Sequence, residues 1–207
     1  ECASCARGGA AVHVQVSGEL LLNGTITVDG DYGPYPQSSG GSWVGSYSGG
    51  SGGSVWIEAG VLSGGGGVVS AVGGNGYSSS GGGGGGGGRV ALYCGSSTYV
   101  LGGTPTLSAS GGMGYYSSSN WMDGAPGTVY VDCGETRRTL ILDTQGTTRS
   151  EGAEYTNKLD VGADDERLAS GEVHNGARAL LRVGYNASEP TFELLSVNVT
   201  AGSHTEL

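Results

Sequence analysis

The chain repeats one short alternating phrase at a nearly constant interval, and this repeat limits the folds that it can adopt. The copies are residues 11–16, 54–59, 89–94 and 128–133, of which the first is the least similar. Val90 follows Val55 by 35 residues, and Val129 follows Val90 by 39 residues. A period of about 20–50 residues is typical of stacked repeats, in which each unit packs mainly on its neighbours.

Each copy of the phrase places apolar residues on every second position. Val55 and Ile57 in one copy correspond to Val90 and Leu92 in the next. This period of two indicates β-strands with one buried face. The residues between them also share character across copies, so we predict neighbouring strands about 4.8 Å apart with equivalent residues in columns.

Glycine dominates the composition, because the 207 residues include 45 Gly, one Phe and only 14% charged residues. Such a chain cannot build a wide globular interior, but a narrow repeated core needs little apolar mass per repeat. The Gly/Ser tracts lie before the strands, at residues 38–54, 64–67, 81–88 and 117–119. Two interpretations stay open: flexible linkers, or ordered loops docked on one face.

The four cysteines predict structural disulfides. Cys94 and Cys133 occupy the same phase of their copies, and adjacent strands offer the Cα separation of about 4.4–6.8 Å that a disulfide needs. A Cys94–Cys133 bridge is therefore predicted, with two buried free thiols as the alternative. Cys2 and Cys5 also favour a structural cystine, with each other or with a neighbouring segment. No helical pattern or further ligand near them supports a redox or zinc site.

Three sequons, at Asn23, Asn186 and Asn198, would accept covalent N-glycans if the chain passes through a eukaryotic secretory route. Together with the cysteines they predict an extracellular or cell-surface location. The formal net charge of −10 argues against a nucleic-acid partner or an anionic membrane surface. No apolar run has the length of a membrane span.

Several phrases together carry a family resemblance: residues 49–57, 68–77, 89–93, 124–130 and 139–143. They resemble the glycine-rich repeats of very large secreted or surface proteins of algae, other protists and some bacteria. Those repeats are similar in turn to pectin-lyase-like right-handed parallel β-helices. The resemblance covers residues 10–143 well and implies a surface or extracellular protein, but no particular activity.

The expected fold class is all-β, a right-handed parallel β-helix (solenoid) with long Gly/Ser-rich loops. Residues 1–134 are expected to form glycine-rich β-helix repeats. Residues 135–207 are expected to continue the β-helix with shorter turns, with a separate small β domain as the alternative. The chain is interpreted as a window of a longer polypeptide or a processed product.

The residue pattern does not favour an enzyme, a cofactor site or a metal site. Glu58, Tyr93 and Asp132 fall on the exposed strand face with Arg89 near by, but no basic partner recurs beside the carboxylates. The three histidines, His13, His174 and His204, lack ligand spacing. The acidic cluster Asp160, Asp164, Asp165 and Glu166 is better explained by a solvated turn than by calcium.

The favoured hypothesis is a structural segment or protomer of an extracellular glycoprotein fibre, surface hair or matrix. It would self-associate into a filament or join neighbouring segments of a longer chain. The alternative is an adhesin or lectin-like module that recognises glycans through aromatic Gly-rich loops. That alternative rests on Trp43, Trp56 and Trp121, which would otherwise cover the glycine tracts.

Overall fold

The computed structural model describes the chain in thirteen ranges. These are residues 6–34, 37–39, 42–44, 48–77, 82–99, 105–114, 123–133, 138–143, 157–161, 170–174, 178–183, 197–199 and 204–206. These ranges consist of β-strands and extended segments and contain no helix.

Fifteen strands are present in the described ranges. They are β1 (Ala11–Leu21), β2 (Thr25–Thr27), β3 (Gln37–Ser39), β4 (Ser42–Val44), β5 (Ser54–Gly64), β6 (Val68–Ser70), β7 (Arg89–Tyr99), β8 (Thr106–Ser108), β9 (Thr128–Cys133), β10 (Arg138–Asp143), β11 (Asn157–Val161), β12 (Ser170–His174), β13 (Arg178–Val183), β14 (Val197–Val199) and β15 (His204–Glu206).

The largest sheet has seven strands in the order β1-β5-β7-β9-β10-β12-β14. Its first four strands are parallel and are the four copies of the repeated phrase, so that Val12, Val55, Val90 and Val129 lie in one column. The short strands β2, β6 and β8 form a second parallel sheet, and β11, β13 and β15 form a third. β3 and β4 form an antiparallel pair.

The apolar face of the large sheet meets the β2-β6-β8 sheet in one narrow core. Ile57 and Leu92 are fully buried there together with Val69. The turn that joins β5 to β6 contains Gly64 and Gly66 at positive φ, a conformation that glycine adopts without steric cost. Each of the first three repeats thus contributes one long and one short strand to a shared interior.

The described glycine tracts other than the turn at 64–67 lie in a packed layer, which we call the glycine layer. It comprises the extended segments 6–10, 28–34, 48–53, 71–77, 82–88, 109–114 and 123–127. Its segments are joined by backbone hydrogen bonds of 2.8 Å, in which Gly112 donates to Gly85, Gly85 to Gly74 and Gly74 to Gly50. A Cβ added at Gly85 would overlap the carbonyl oxygen of Gly50, so this approach requires glycine.

The prediction of a right-handed parallel β-helix with long Gly/Ser-rich loops is wrong. The parallel series ends at β9, because β10 returns antiparallel to it with Thr139 opposite Val131. The described glycine tracts, apart from the turn at 64–67, are hydrogen-bonded extended segments instead of loops. Apolar alternation indicates a strand and its buried face, but it does not set the direction of the next strand.

The predicted boundary between residues 134 and 135 falls between β9 and β10, at residues that lie outside the described ranges. The division of the chain into 1–134 and 135–207 therefore stays a prediction.

Asp29 joins two segments at the end of the short sheet. Its carboxylate accepts hydrogen bonds from Thr27 Oγ1 at 2.8 Å, from Ser70 Oγ at 2.5 Å and from the Val72 amide at 2.6 Å.

We expect Asp29→Ala to lower the free energy of unfolding by about 1 kcal/mol, since these donors can partly turn to water. Asp31→Ala is the matched control, because that carboxylate accepts one longer bond of 3.4 Å from the Arg7 amide. Urea unfolding measures both variants, and equal losses would contradict the bridging role of Asp29.

Candidate functional site

The outer face of the large sheet carries a line of aromatic rings across four parallel strands. We call the side chains of His13, Trp56, Tyr93 and Tyr130 the aromatic row. They occupy the exposed phase of the alternation, opposite to the buried valines, because successive side chains of a strand point to opposite faces.

The rings of the aromatic row lie close enough to contact one another. Ring centroids are 5.2 Å apart between His13 and Trp56, 6.0 Å between Trp56 and Tyr93, and 5.6 Å between Tyr93 and Tyr130. The interplanar angles of 39–53° are tilted, so the ring faces are not stacked flat on each other. Trp56 remains 49% exposed and Tyr93 38% exposed, which leaves aromatic surface open to solvent.

A polar column runs beside the aromatic row. The register places Gln15, Glu58, Tyr93 and Asp132 next to one another on β1, β5, β7 and β9. Gln15 Nε2 donates a 2.7 Å hydrogen bond to Glu58 Oε2, and His13 Nε2 lies 3.7 Å from the same oxygen. These two contacts hold the Glu58 carboxylate in a defined position on the face.

The polar column lines an open groove of about 810 Å³, which we call the sheet groove. Its floor includes the small residues that follow the column on each strand, among them Gly60 and Gly95. The described residues that line it are Gln15, Val16, Ser17, Glu58, Ala59, Gly60, Tyr93, Cys94, Gly95 and Asp132. A shallow surface with aromatic and carboxylate groups along one side is suited to holding an extended ligand.

The two carboxylates of the sheet groove do not form a close pair. Glu58 and Asp132 lie on strands separated by β7, so their backbones are about 10 Å apart. The Glu58 carboxylate is engaged by Gln15 and His13, on the side away from Asp132. The groove therefore presents two separate hydrogen-bond acceptors, and Arg89 lies on the same face at the start of β7.

Cys94 and Cys133 are bonded to each other, with Cα atoms 4.3 Å apart, and they are directly opposite in the register of β7 and β9. Both are buried on the core side of the sheet, and Cys94 also contributes to the floor of the sheet groove. Cys2 and Cys5 lie outside the described residues.

Asn23 is exposed between β1 and β2, where its Oδ1 accepts a 2.8 Å hydrogen bond from the Gly65 amide. Asn198 lies in β14, of which only the backbone is described, and Asn186 lies outside the described residues. Nothing in the structure tests whether any of the three carries a glycan, so all three stay predictions.

Other residues singled out in the sequence are only partly placed. Trp43 lies in β4, and His174 and His204 lie in β12 and β15, where the structure describes backbone alone. Asp160 lies in β11, whereas Asp164, Asp165, Glu166 and Trp121 lie outside the described residues.

Sequence reasoning placed these aromatic residues on the exposed strand face but did not recognise them as one continuous row. It grouped Trp56 with Trp43 and Trp121 as a possible contact surface and did not link it to the rings of the neighbouring strands, whereas Trp56 lies near the start of β5 between His13 and Tyr93. The sequence did contain a sign of this contact. Tyr93 is opposite Glu58, two residues beyond Ala91, which is opposite Trp56. Long side chains can reach such diagonal neighbours on the next strand.

Within the described ranges, no three His, Cys, Asp or Glu side chains are placed to hold a metal ion together. The same ranges include no helix with the length and apolarity needed to cross a membrane. No family model matches the chain, and no curated protein or solved structure matches it.

Proposed function

We propose that this chain is a structural segment of an extracellular glycoprotein that forms a fibre, a surface hair or a matrix. The observation that carries the proposal is the glycine layer. A large share of the chain is used to bring backbones into direct contact, and the layer presents few side chains that could perform chemistry.

The hydrogen bonds of the glycine layer run through successive segments without interruption. Gly124 donates to Gly112, and the series continues through Gly85, Gly74 and Gly50 to the carbonyl of Asp31. Each link joins parts of the chain that are far apart in sequence, so the layer resists separation along the direction of these bonds. Cooperative hydrogen-bond chains of this kind favour a mechanical role.

A sheet edge supports self-association. β1 ends the strand order of the large sheet, and within the described residues its only paired strand is β5. Since the Ser54 amide donates to the Ala10 carbonyl, the amides of Ala11 and His13 point away from β5. Such an edge can accept a further strand from a neighbouring segment or a second copy.

Extracellular placement is part of the proposal and is supported by the bonded Cys94 and Cys133, since disulfides persist in oxidising compartments. The exposed position of Asn23 is compatible with an N-glycan there.

We expect the purified chain to assemble into filaments with a regular axial repeat as its concentration rises. Negative-stain electron microscopy and sedimentation velocity measure the assembly. A monodisperse monomer with native circular dichroism at every concentration would contradict the proposal.

Ala11→Pro is the sharpest variant, because proline removes an amide that points to the open edge and leaves the β5 hydrogen bonds in place. We expect it to reduce assembly while the unfolding midpoint stays unchanged. Ala11→Val keeps the amide and is the matched control. Equal assembly of both variants would exclude the β1 edge as the contact.

A further inference from the structure

We propose that the sheet groove binds a neutral, linear polysaccharide that lies across β1, β5, β7 and β9 along the aromatic row. This site is on the strand face, not in the Gly-rich loops. The proposal does not depend on self-association, because it uses the outer face of the sheet and not its edge.

The aromatic row supplies surfaces for sugar rings. The apolar C–H face of a pyranose packs on an aromatic face, and the half-exposed Trp56 offers the largest such face. The four rings contact one another in a line across the strands, so the row offers a continuous aromatic surface in that direction. A linear polymer lying along this line could contact more than one ring.

The polar column supplies hydrogen-bond acceptors at the edge of those rings. Sugar hydroxyls donate well to carboxylates, and Glu58 and Asp132 present carboxylates on the same side of the row. Gln15 already holds Glu58 in position at 2.7 Å, so little side-chain freedom is lost on binding. An aromatic platform with a few oriented polar groups is the usual composition of a ligand site.

Charge selects the class of polysaccharide. Among the described residues, the lining of the sheet groove includes Glu58 and Asp132 and contains no Lys or Arg, since Arg89 lies outside it at the start of β7. With a formal net charge of −10 on the chain, a polymer of uronic acids or sugar sulfates would be repelled. A neutral polymer meets no such repulsion.

A peptide fits this face less well than a sugar polymer. Extended peptides commonly bind by adding a strand to an open sheet edge. In the sheet groove the backbone of β5 is already paired with β1 on one side and with β7 on the other. Along β5 the groove therefore offers side chains but no free backbone N–H or C=O groups. Such a surface suits a ligand that presents hydroxyls and ring faces.

The test is affinity electrophoresis of the folded chain in gels that contain hydroxyethyl cellulose, laminarin, xyloglucan or galactomannan. Parallel gels contain alginate or polygalacturonate. We expect at least one neutral polymer to retard the chain and both anionic polymers to leave its mobility unchanged. Trp56→Ala should weaken the binding about tenfold or more, as removal of a central aromatic contact does elsewhere.

Tyr32→Ala is the matched control, since Tyr32 is an aromatic residue 72% exposed outside the aromatic row and outside the groove lining. Glu58→Gln keeps the shape of the side chain, and its weaker binding would show that the carboxylate contributes. Unchanged unfolding midpoints establish that the variants fold. The proposal is overturned if no neutral polymer binds, if only anionic polymers bind, or if Trp56→Ala and Tyr32→Ala bind equally.

Discussion

Gly85→Ala is expected to lower the free energy of unfolding by about 3 kcal/mol or more, because its methyl group would overlap backbone that cannot rotate away. The added Cβ would coincide with the carbonyl group of Gly50. Only separation of the two segments relieves that overlap. Such a separation breaks the bonds that join these two segments, from Gly49 to Gly83 at 2.9 Å and from Gly52 to Gly86 at 2.8 Å.

The adjacent glycine provides a matched control. A Cβ at Gly86 would have its nearest heavy atom, the Ala125 carbonyl oxygen, 3.8 Å away. Gly86→Ala should therefore leave stability unchanged or raise it by up to about 1 kcal/mol, since alanine restricts the unfolded chain. The two variants have the same composition, so differences in their unfolded states are small.

Urea unfolding followed by circular dichroism and tryptophan fluorescence measures both variants. A Gly85→Ala protein as stable as Gly86→Ala would show that the glycine layer is not packed as described. A large loss in both would show that the tract tolerates no side chain at either position.

Removal of the Cys94–Cys133 bond is expected to cost about 3–4 kcal/mol of stability, the entropic value for a closed loop of this length. The two cysteines are 39 residues apart and join β7 to β9. The double variant Cys94→Ala, Cys133→Ala removes the link without leaving a thiol. Both positions are buried, and alanine suits them because its side chain has no polar group that would need a partner.

Comparison with reduced wild-type protein separates the loss of the link from the loss of sulfur volume. We expect the double variant and the reduced protein to unfold at similar urea concentrations, both well below the oxidised protein. Peptide mapping by mass spectrometry under non-reducing conditions checks the pairing directly. A link from Cys94 to Cys2 or Cys5 would contradict it.

The disulfide also connects the stability of the sheet to the proposed binding surface. Cys94 lies in the floor of the sheet groove, between Ala59 and Cys133 in the register. The link therefore holds together the two strands that carry Tyr93 and Asp132. The glycine layer and the sheet groove use different residues, so a failure of one proposal leaves the other open to test.

The repeated phrase by itself determined the strands and their register. The repeat aligns Val55 with Val90, and alternation excludes a shift of one residue, which would turn every apolar side chain to solvent. The same alignment brings Cys94 opposite Cys133. These features follow from local spacing, which is fully present in the sequence.

Only the tertiary structure decided what the glycines do and how the sheet continues beyond β9. A glycine tract has no side-chain pattern, so whether Gly85 lies against Gly50 or in solvent depends on which segments meet in space. The antiparallel direction of β10 likewise does not follow from the alternation of its residues, because an alternating strand buries the same face in either direction. The aromatic row was determined partly by the sequence and partly by the tertiary structure. Alternation placed its members on one face of the sheet. Their contacts depend on the diagonal distances between strands, which only the twisted sheet sets.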